Sequence, residues 1–270
     1  MLTNKSIILC ADDFGLNDAV SDAILHLARN HRLSAVSCLV NGAAITEKAR
    51  ELALLKPNLS IGMHFNLTEP ECMGNFKAQP LSTLLLKSHL SLINRKLIAE
   101  IFQDQLNSFV SLFQSPPDFI DGHQHVHTFP LIRDIILDHC LNKYSVPPPF
   151  FRSTWPMLPF REINIKSQII AGCGGKQFKR QLEINKIKHN HFFAGIYNFS
   201  PDTDYRHLFC QWLSNSPDKT LIMCHPGLQG ADSDQINAAR YKEYSYFSSE
   251  EFITDCERHQ ITLVAEKNTW

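Results

Sequence analysis

Ser6-Ile-Ile-Leu-Cys-Ala-Asp-Asp-Phe-Gly15 begins as a buried strand and stops at two carboxylates and a glycine. Ala19, Val20, Ile24, Leu25 and Leu27 follow at helical spacing, with Asn17 or Asp18 placed to cap the helix. The same alternation continues outward. Residues 33–40 read as a strand ended by Asn41-Gly42, residues 43–55 as a helix, and residues 59–65 as a strand after Pro57-Asn58. Residues 92–113 carry one apolar stripe (Ile93, Leu97, Ile101, Phe102, Leu106, Phe109, Val110, Phe113) and predict a long helix. Further strands are expected at 118–121, 150–152, 192–197, 220–224 and 261–265, with a helix at 131–140 and a rigid Pro147-Pro148-Pro149 linker. Alternation of this kind argues for parallel strands joined by crossover helices. Asp12 and Asp13, His64, His123 and His225 each follow a strand, and functional groups of parallel α/β folds gather at strand carboxyl ends. Contributions from so many strands to one rim favour an α/β fold of (β/α) barrel, TIM-barrel-like form, with residues 1–270 as a single domain.

Composition narrows the function. The chain has 270 residues with 26 Lys plus Arg against 27 Asp plus Glu, a net charge of -1 that supplies no field for nucleic-acid phosphates or anionic lipid. Neither nucleic acid nor a membrane span is therefore expected, since no apolar run approaches the roughly 18 residues of a spanning helix. The amino-terminal segment reaches Asp12 before an apolar signal core could form. The eight cysteines are scattered without a C-x-x-C pair and read as reduced, so a cytoplasmic location is expected. Nucleotide-binding glycine motifs, G-x-S-x-G and H-E-x-x-H are all missing from the sequence.

Four clusters carry chemistry. Asp12-Asp13 cannot both sit unpaired in an apolar core; one can ligate a cation while its neighbour accepts a proton. His64, Asn66 and Thr68 form the polar face of a strand. Asp121-Gly-His-Gln-His-Val-His127 concentrates three imidazoles. If it is helical, His123 and His127 share a face, and if extended all three do. Apolar residues 221–224 deliver His225 to a Pro226-Gly227 turn, where it can act as a general acid or base. Arg152 is read as a substrate-binding residue or a structural ion-pair partner. Phe14, Phe65 and Trp155 are candidates to stack on a sugar or to fill the core. His189-Asn190-His191 reads as solvated surface.

Taken in order, Ala11-Asp-Asp-Phe-Gly-Leu16, Leu39-Val-Asn-Gly42, Ile61-Gly-Met-His-Phe-Asn-Leu-Thr68, Asp121-Gly-His-Gln-His-Val-His127 and Cys224-His-Pro-Gly227 resemble the YdjC-like carbohydrate deacetylases. The match covers most of the first 135 residues and the block at His225. The resemblance implies a barrel related to polysaccharide deacetylases, a divalent metal, and hydrolysis of an N-acetyl group on a glucosamine-type sugar such as a chitooligosaccharide. It makes Asp13, His64 and His123 the metal ligands, Asp12 the catalytic base and His225 the donor to the departing amine. His127 is left as a further ligand or a substrate contact. Magnesium is the ion that the resemblance implies, zinc the one that ligand softness favours, and a homodimer is suggested. Gly122 stands where many relatives have Ser, and residues 155–218 show little that matches. Alternatives are the hopanoid-associated branch of the same family, a metal-dependent phosphoesterase, and a non-catalytic sugar-binding protein.

Overall fold

In the computed structural model, residues 4–69, 76–142, 148–157, 171–230 and 234–265 are described. Strand β1 (Lys5–Phe14) is buried from Ile7 onward and forms the centre of the sheet. It pairs in parallel with β2 (Ala35–Cys38), β7 (Thr220–Cys224) and, along Lys5–Ile7, β8 (Ile261–Leu263). With β3 (Ser60–Phe65), β4 (Phe119–Gly122), β5 (Phe150–Phe151) and β6 (Phe192–Ala194), the sheet runs β5-β4-β3-β2-β1-β7-β6, all parallel. Single bridges from Phe151 to His189 and from Pro156 to Phe193 link the β5 end to the β6 end, so the sheet curls into a barrel. The described helices are α1 (Asp18–Arg29), α2 (Ile45–Ala53), α3 (Leu81–His89), α4 (Arg95–Phe113), α5 (Ile132–Asn142), α6 (Lys176–Ile184), α7 (Tyr205–Asn215), α8 (Asn237–Ser248) and α9 (Glu250–Arg258).

The alternation of strand side chains separates two cores. Ile7, Leu9 and Ala11 of β1 join the large cluster packed with the helices. Ile8 and Cys10 join a smaller one with Ala35, Phe119, Phe150, Phe193, Leu221 and Met223. A step of two residues from this smaller layer reaches a polar one: Cys10 leads to Asp12, Ala35 to Ser37, Phe119 to Asp121, Phe150 to Arg152 and Met223 to His225. On these five strands the inward-facing positions are thus apolar in the middle of the sheet and polar at the carboxyl end, as in layered barrels.

Local boundaries have local causes. The Asn17 side chain accepts from the Val20 amide at 2.9 Å and starts α1, as its sequence suggests. Asn94 caps in the same way, accepting from Leu97, so α4 starts at Arg95 rather than at residue 92. Val110, counted in the apolar stripe, faces outward at 41% exposure. Phe14 and Phe65 are fully buried and serve as core. Asn190 is also buried, where its side chain accepts from the Ser153 amide and donates to the Ser153 carbonyl. It clamps the barrel's bridged edge instead of lying on a solvated loop. The seven described cysteines are free thiols; Cys72 and Pro147 lie outside the described residues. No helix among the described residues is long and apolar enough to cross a membrane.

Gly15 follows the two aspartates at φ +96°, and a Cβ there would lie 2.8 Å from the Leu39 carbonyl oxygen. Gly15→Ala is expected to lower stability by about 1–3 kcal/mol, read as a lower urea midpoint with an unchanged m-value.

Candidate active site

An ordinary extended strand would send Asp12 and Asp13 to opposite faces. Here the β1–β2 register slips between Ala11 and Phe14, and Asp13 takes a left-handed φ of +68°. This bulge turns both carboxylates towards one centre. His64 arrives directly at the end of β3. His123 follows β4 in a stretch that is neither helical nor extended: Gln124 and His125 are left-handed, at φ 51° and 61°. Both expected arrangements of the triple-histidine segment are therefore replaced by a tight reversal that sends its imidazoles in different directions.

His123 reaches Asp13, with Nδ1 2.9 Å from Oδ1, and His64 Nε2 stands 3.4 Å from the same oxygen. Asp13, His64 and His123 offer one carboxylate oxygen and two imidazole nitrogens within 4.8 Å of one another, with Asp13 and His64 buried and His123 12% exposed. The Nδ1 of His64 is engaged by Asp121 Oδ1 at 2.7 Å and lies 2.9 Å from Ser37 Oγ, which leaves Nε2 for the centre. A carboxylate behind a ligating imidazole is the usual support of such a ligand. The donor set and its orientation therefore fit a divalent cation. A second group, Cys10, Asp12 and Asp121, also meets the distance criterion for a metal site. It surrounds the guanidinium of Arg152 instead, which serves as its cation.

Arg152 is fully buried and grips Asp12 with two parallel hydrogen bonds of 2.6 Å. It also stands 2.6 Å from Asp121 Oδ2, in an ion pair without hydrogen-bond geometry. His127 is equally inaccessible: its Nε2 donates to the Arg152 carbonyl at 3.0 Å and its ring packs edge-on against Phe178. The two residues expected at the substrate thus lie behind the carboxylates and offer no surface to a ligand. For Arg152 the ion-pair alternative holds. His225 brings Nε2 to 4.0 Å from Asp12 Oδ2, with Phe199 edge-on against its ring.

Several contributors carried no readable signal. On α8, Arg240 binds Asp13 Oδ2 at 2.7 Å while its Nε binds Asp234 at 2.6 Å. Glu243, one turn on, accepts from the His225 amide and from the Tyr197 hydroxyl. Glu69 stands 3.1 Å from His123 Nε2. Ser37 and Asp121 were reachable by the two-residue step along their strands; Arg240 and Glu243 lie on a helix more than 220 residues from the first aspartates.

Charge divides the histidines. Burial alone would discharge His64, but Asp121, Asp12 and its hydrogen bonds to Asp121 and Asp13 outweigh this and raise it to about 10. His123 is raised similarly, chiefly by Asp13 against its own burial. Burial dominates at His225 and His127, each lowered to about 4, and it also lowers His125. Asp13 is held well below the usual carboxylate range despite burial, by His123 and Arg240. The same pocket therefore holds charged imidazoles near Asp13 and neutral ones elsewhere.

A family model described as "YdjC-like protein" matches residues 6–258. A chitooligosaccharide deacetylase of Yersinia enterocolitica is 33% identical over 230 residues, covering 82% of this chain and 81% of that protein. Among solved structures, an Enterococcus faecalis protein ascribed cellobiose-phosphate cleavage superposes with a TM-score of 0.72 at 19% identity, covering 98% of this chain and 99% of that one. A peptidoglycan N-acetylglucosamine deacetylase superposes with a TM-score of 0.53 at 12% identity, covering 98% and 87%. At those identities the structural likenesses establish a shared barrel fold.

The raised imidazoles give two linked pH dependences. A cation entering between His64 and His123 must displace their protons, so its affinity should rise from pH 7 to pH 9 with proton release. Calorimetric titration in buffers of different ionisation enthalpy checks this, and a flat affinity would contradict it. The raised pKa of His64 contributes stability that is complete below its unfolded value and lost as pH rises through about 10. Cation-free protein should accordingly lose thermal stability progressively from pH 7 to pH 10.

Proposed function

The chain belongs to the YdjC-like family, and from that membership together with its buried carboxylate–imidazole centre we propose that it is a metal-dependent hydrolase removing N-acetyl groups from glucosamine-containing oligosaccharides of the chitooligosaccharide class. The observation that carries this reading is the convergence of Asp12, Asp13, His64, His123 and His225 from four strand ends onto one centre. The name of the Yersinia relative supports the choice of sugar.

Amide hydrolysis needs a nucleophile, stabilisation of a tetrahedral oxyanion, and a proton for the departing amine. A divalent cation held by Asp13, His64 and His123 would supply Lewis acidity to the acetyl carbonyl and to water. Asp13 would offer Oδ1, because Arg240 occupies Oδ2. Asp12, adjacent to a ligand but turned to Arg152, acts as the base. The two guanidinium bonds fix the plane of its carboxylate.

His225 cannot arrive as a stored acid, since burial leaves it neutral near pH 7. It stands 4.0 Å from the Asp12 oxygen that would collect the water's proton. The proton balance then closes within the site. Water gives a proton to Asp12 as its oxygen adds to the carbonyl; His225 takes up that proton and delivers it to the nitrogen as the C–N bond breaks. Acetate and a free amine are the products. Glu243 holds the His225 backbone in place for this transfer. Zinc and magnesium are the first ions to supply, the one by ligand softness and the other by family.

Protein loaded with either ion should release acetate from N,N′-diacetylchitobiose and longer oligomers. Asp12→Asn should keep the cation and lose roughly 10²–10⁴-fold in kcat, whereas His123→Ala should lose the cation as well, by elemental analysis. Wild-type turnover in Asp12→Asn removes Asp12 as the base. Hydrolysis of an aryl phosphate without acetate release favours a phosphoesterase, and sugar binding without either reaction favours a lectin-like protein.

A further inference from the structure

Asp121 has no accessible surface and is not placed to touch substrate, yet its two oxygens serve different halves of the site. Oδ1 accepts from His64 Nδ1 at 2.7 Å and from Ser37 Oγ at 2.5 Å. Oδ2 lies 2.6 Å from the Arg152 guanidinium, whose same terminal nitrogen donates to Asp12 Oδ1 at 2.6 Å. A single carboxylate therefore stands behind a candidate metal ligand and behind the group that orients the candidate base.

We propose that Asp121 is a positioning residue that couples the metal centre to the catalytic base. It directs the His64 Nε2 lone pair to the cation and holds the Arg152 fork on Asp12. The inference rests on the metal-dependent reading above and assigns to that site a residue that touches neither ion nor sugar.

The chemistry demands a carboxylate rather than any polar group of that size. An ionised carboxylate accepts hydrogen bonds only. It therefore fixes the proton of His64 on Nδ1 and meets the guanidinium without a donor–donor conflict. An asparagine must turn its NH2 one way or the other. Turned to Arg152, it sets donors against donors beside Asp12. Turned to His64, it calls for a lone pair on Nδ1 and moves the proton to Nε2, where the cation must bind. Either orientation impairs one half of the site, and the lost negative charge weakens His64 as a ligand in both. Ser37 completes the arrangement by donating to the oxygen that His64 uses.

Three measurements test this. Calorimetric titration of Asp121→Asn with zinc should show an affinity roughly 10–100-fold weaker than wild type. At saturating cation, its kcat on diacetylchitobiose should fall at least tenfold with KM within about twofold, since Asp12 loses its orientation and the sugar surface does not change. Ser37→Ala should weaken zinc in the same direction by a smaller factor, and it serves if Asp121→Asn fails to fold. In zinc-loaded wild type, long-range ¹H–¹⁵N spectra should show the His64 proton on Nδ1. Unchanged zinc affinity and kcat in Asp121→Asn overturn the proposal, as does a His64 proton on Nε2. A wild type that binds zinc and releases acetate while either of those results is obtained sinks this inference alone. A wild type that binds no divalent ion, or binds one and releases no acetate, sinks the functional reading and this inference with it.

Discussion

Three carboxylates, Asp12, Asp13 and Asp121, sit side by side with no more than 2% of their surface exposed. Burying one such charge without compensation costs several kcal/mol, and like charges this close add to the cost. Everything around the centre answers that constraint. Arg152, fully buried itself, neutralises Asp12 and leans on Asp121. Arg240 comes from the carboxyl-terminal part of the chain to neutralise Asp13. What remains of the negative charge is met by the protons of His64 and His123, which is why both hold them so firmly. A divalent cation held there, as proposed, would take over the task of those protons.

The barrel supplies the convergence this balance requires. Strands β1 to β5 follow one another in chain order, and the pairing of β1 with β7 brings the distant carboxyl-terminal part of the chain to the same rim. Much of this was legible in the residues. Ile7 through Ala11 announce a two-sided buried strand, and Asp12, His64 and His225 each end an apolar run. Carboxyl ends of parallel strands share one face, so these polar endings had to meet. The two-residue step from Cys10 to Asp12, or from Phe119 to Asp121, is the same information read as layers.

What escaped the sequence has a common character. Asp13 shares the site with Asp12 because the backbone breaks its own alternation, and nothing in Asp-Asp-Phe-Gly distinguishes a bulged pair from one split between two faces. The triple-histidine segment misleads for the same reason. Regular periodicity groups its imidazoles, whereas left-handed Gln124 and His125 scatter them to Asp13, to Phe193 and to the Arg152 carbonyl. Arg152 reads equally as a ligand-binding arginine or an ion-pair partner, because burial is invisible in a short Phe-Phe-Arg run. Arg240 and Glu243 look like ordinary charges of a solvated helix, and only tertiary packing turns that face of α8 inward.

The division among the histidines follows from where the charges stand. The centre built by β1, β3 and β4 is rich in carboxylates, and imidazoles there are held protonated. The side built by β7 and the loop after β6 presents Phe199 and Tyr197, with Glu243 turned to the His225 backbone rather than to its ring. An imidazole on that side stays neutral. The imidazoles that hold protons most strongly therefore stand at Asp13, and the neutral imidazole of His225 stands 4.0 Å from Asp12. Environments that push like groups apart in pKa are what assign them separate roles, and here one barrel rim creates both environments, with His64 Nε2 3.4 Å from Asp13 Oδ1 and His225 Nε2 4.0 Å from the neighbouring Asp12 Oδ2.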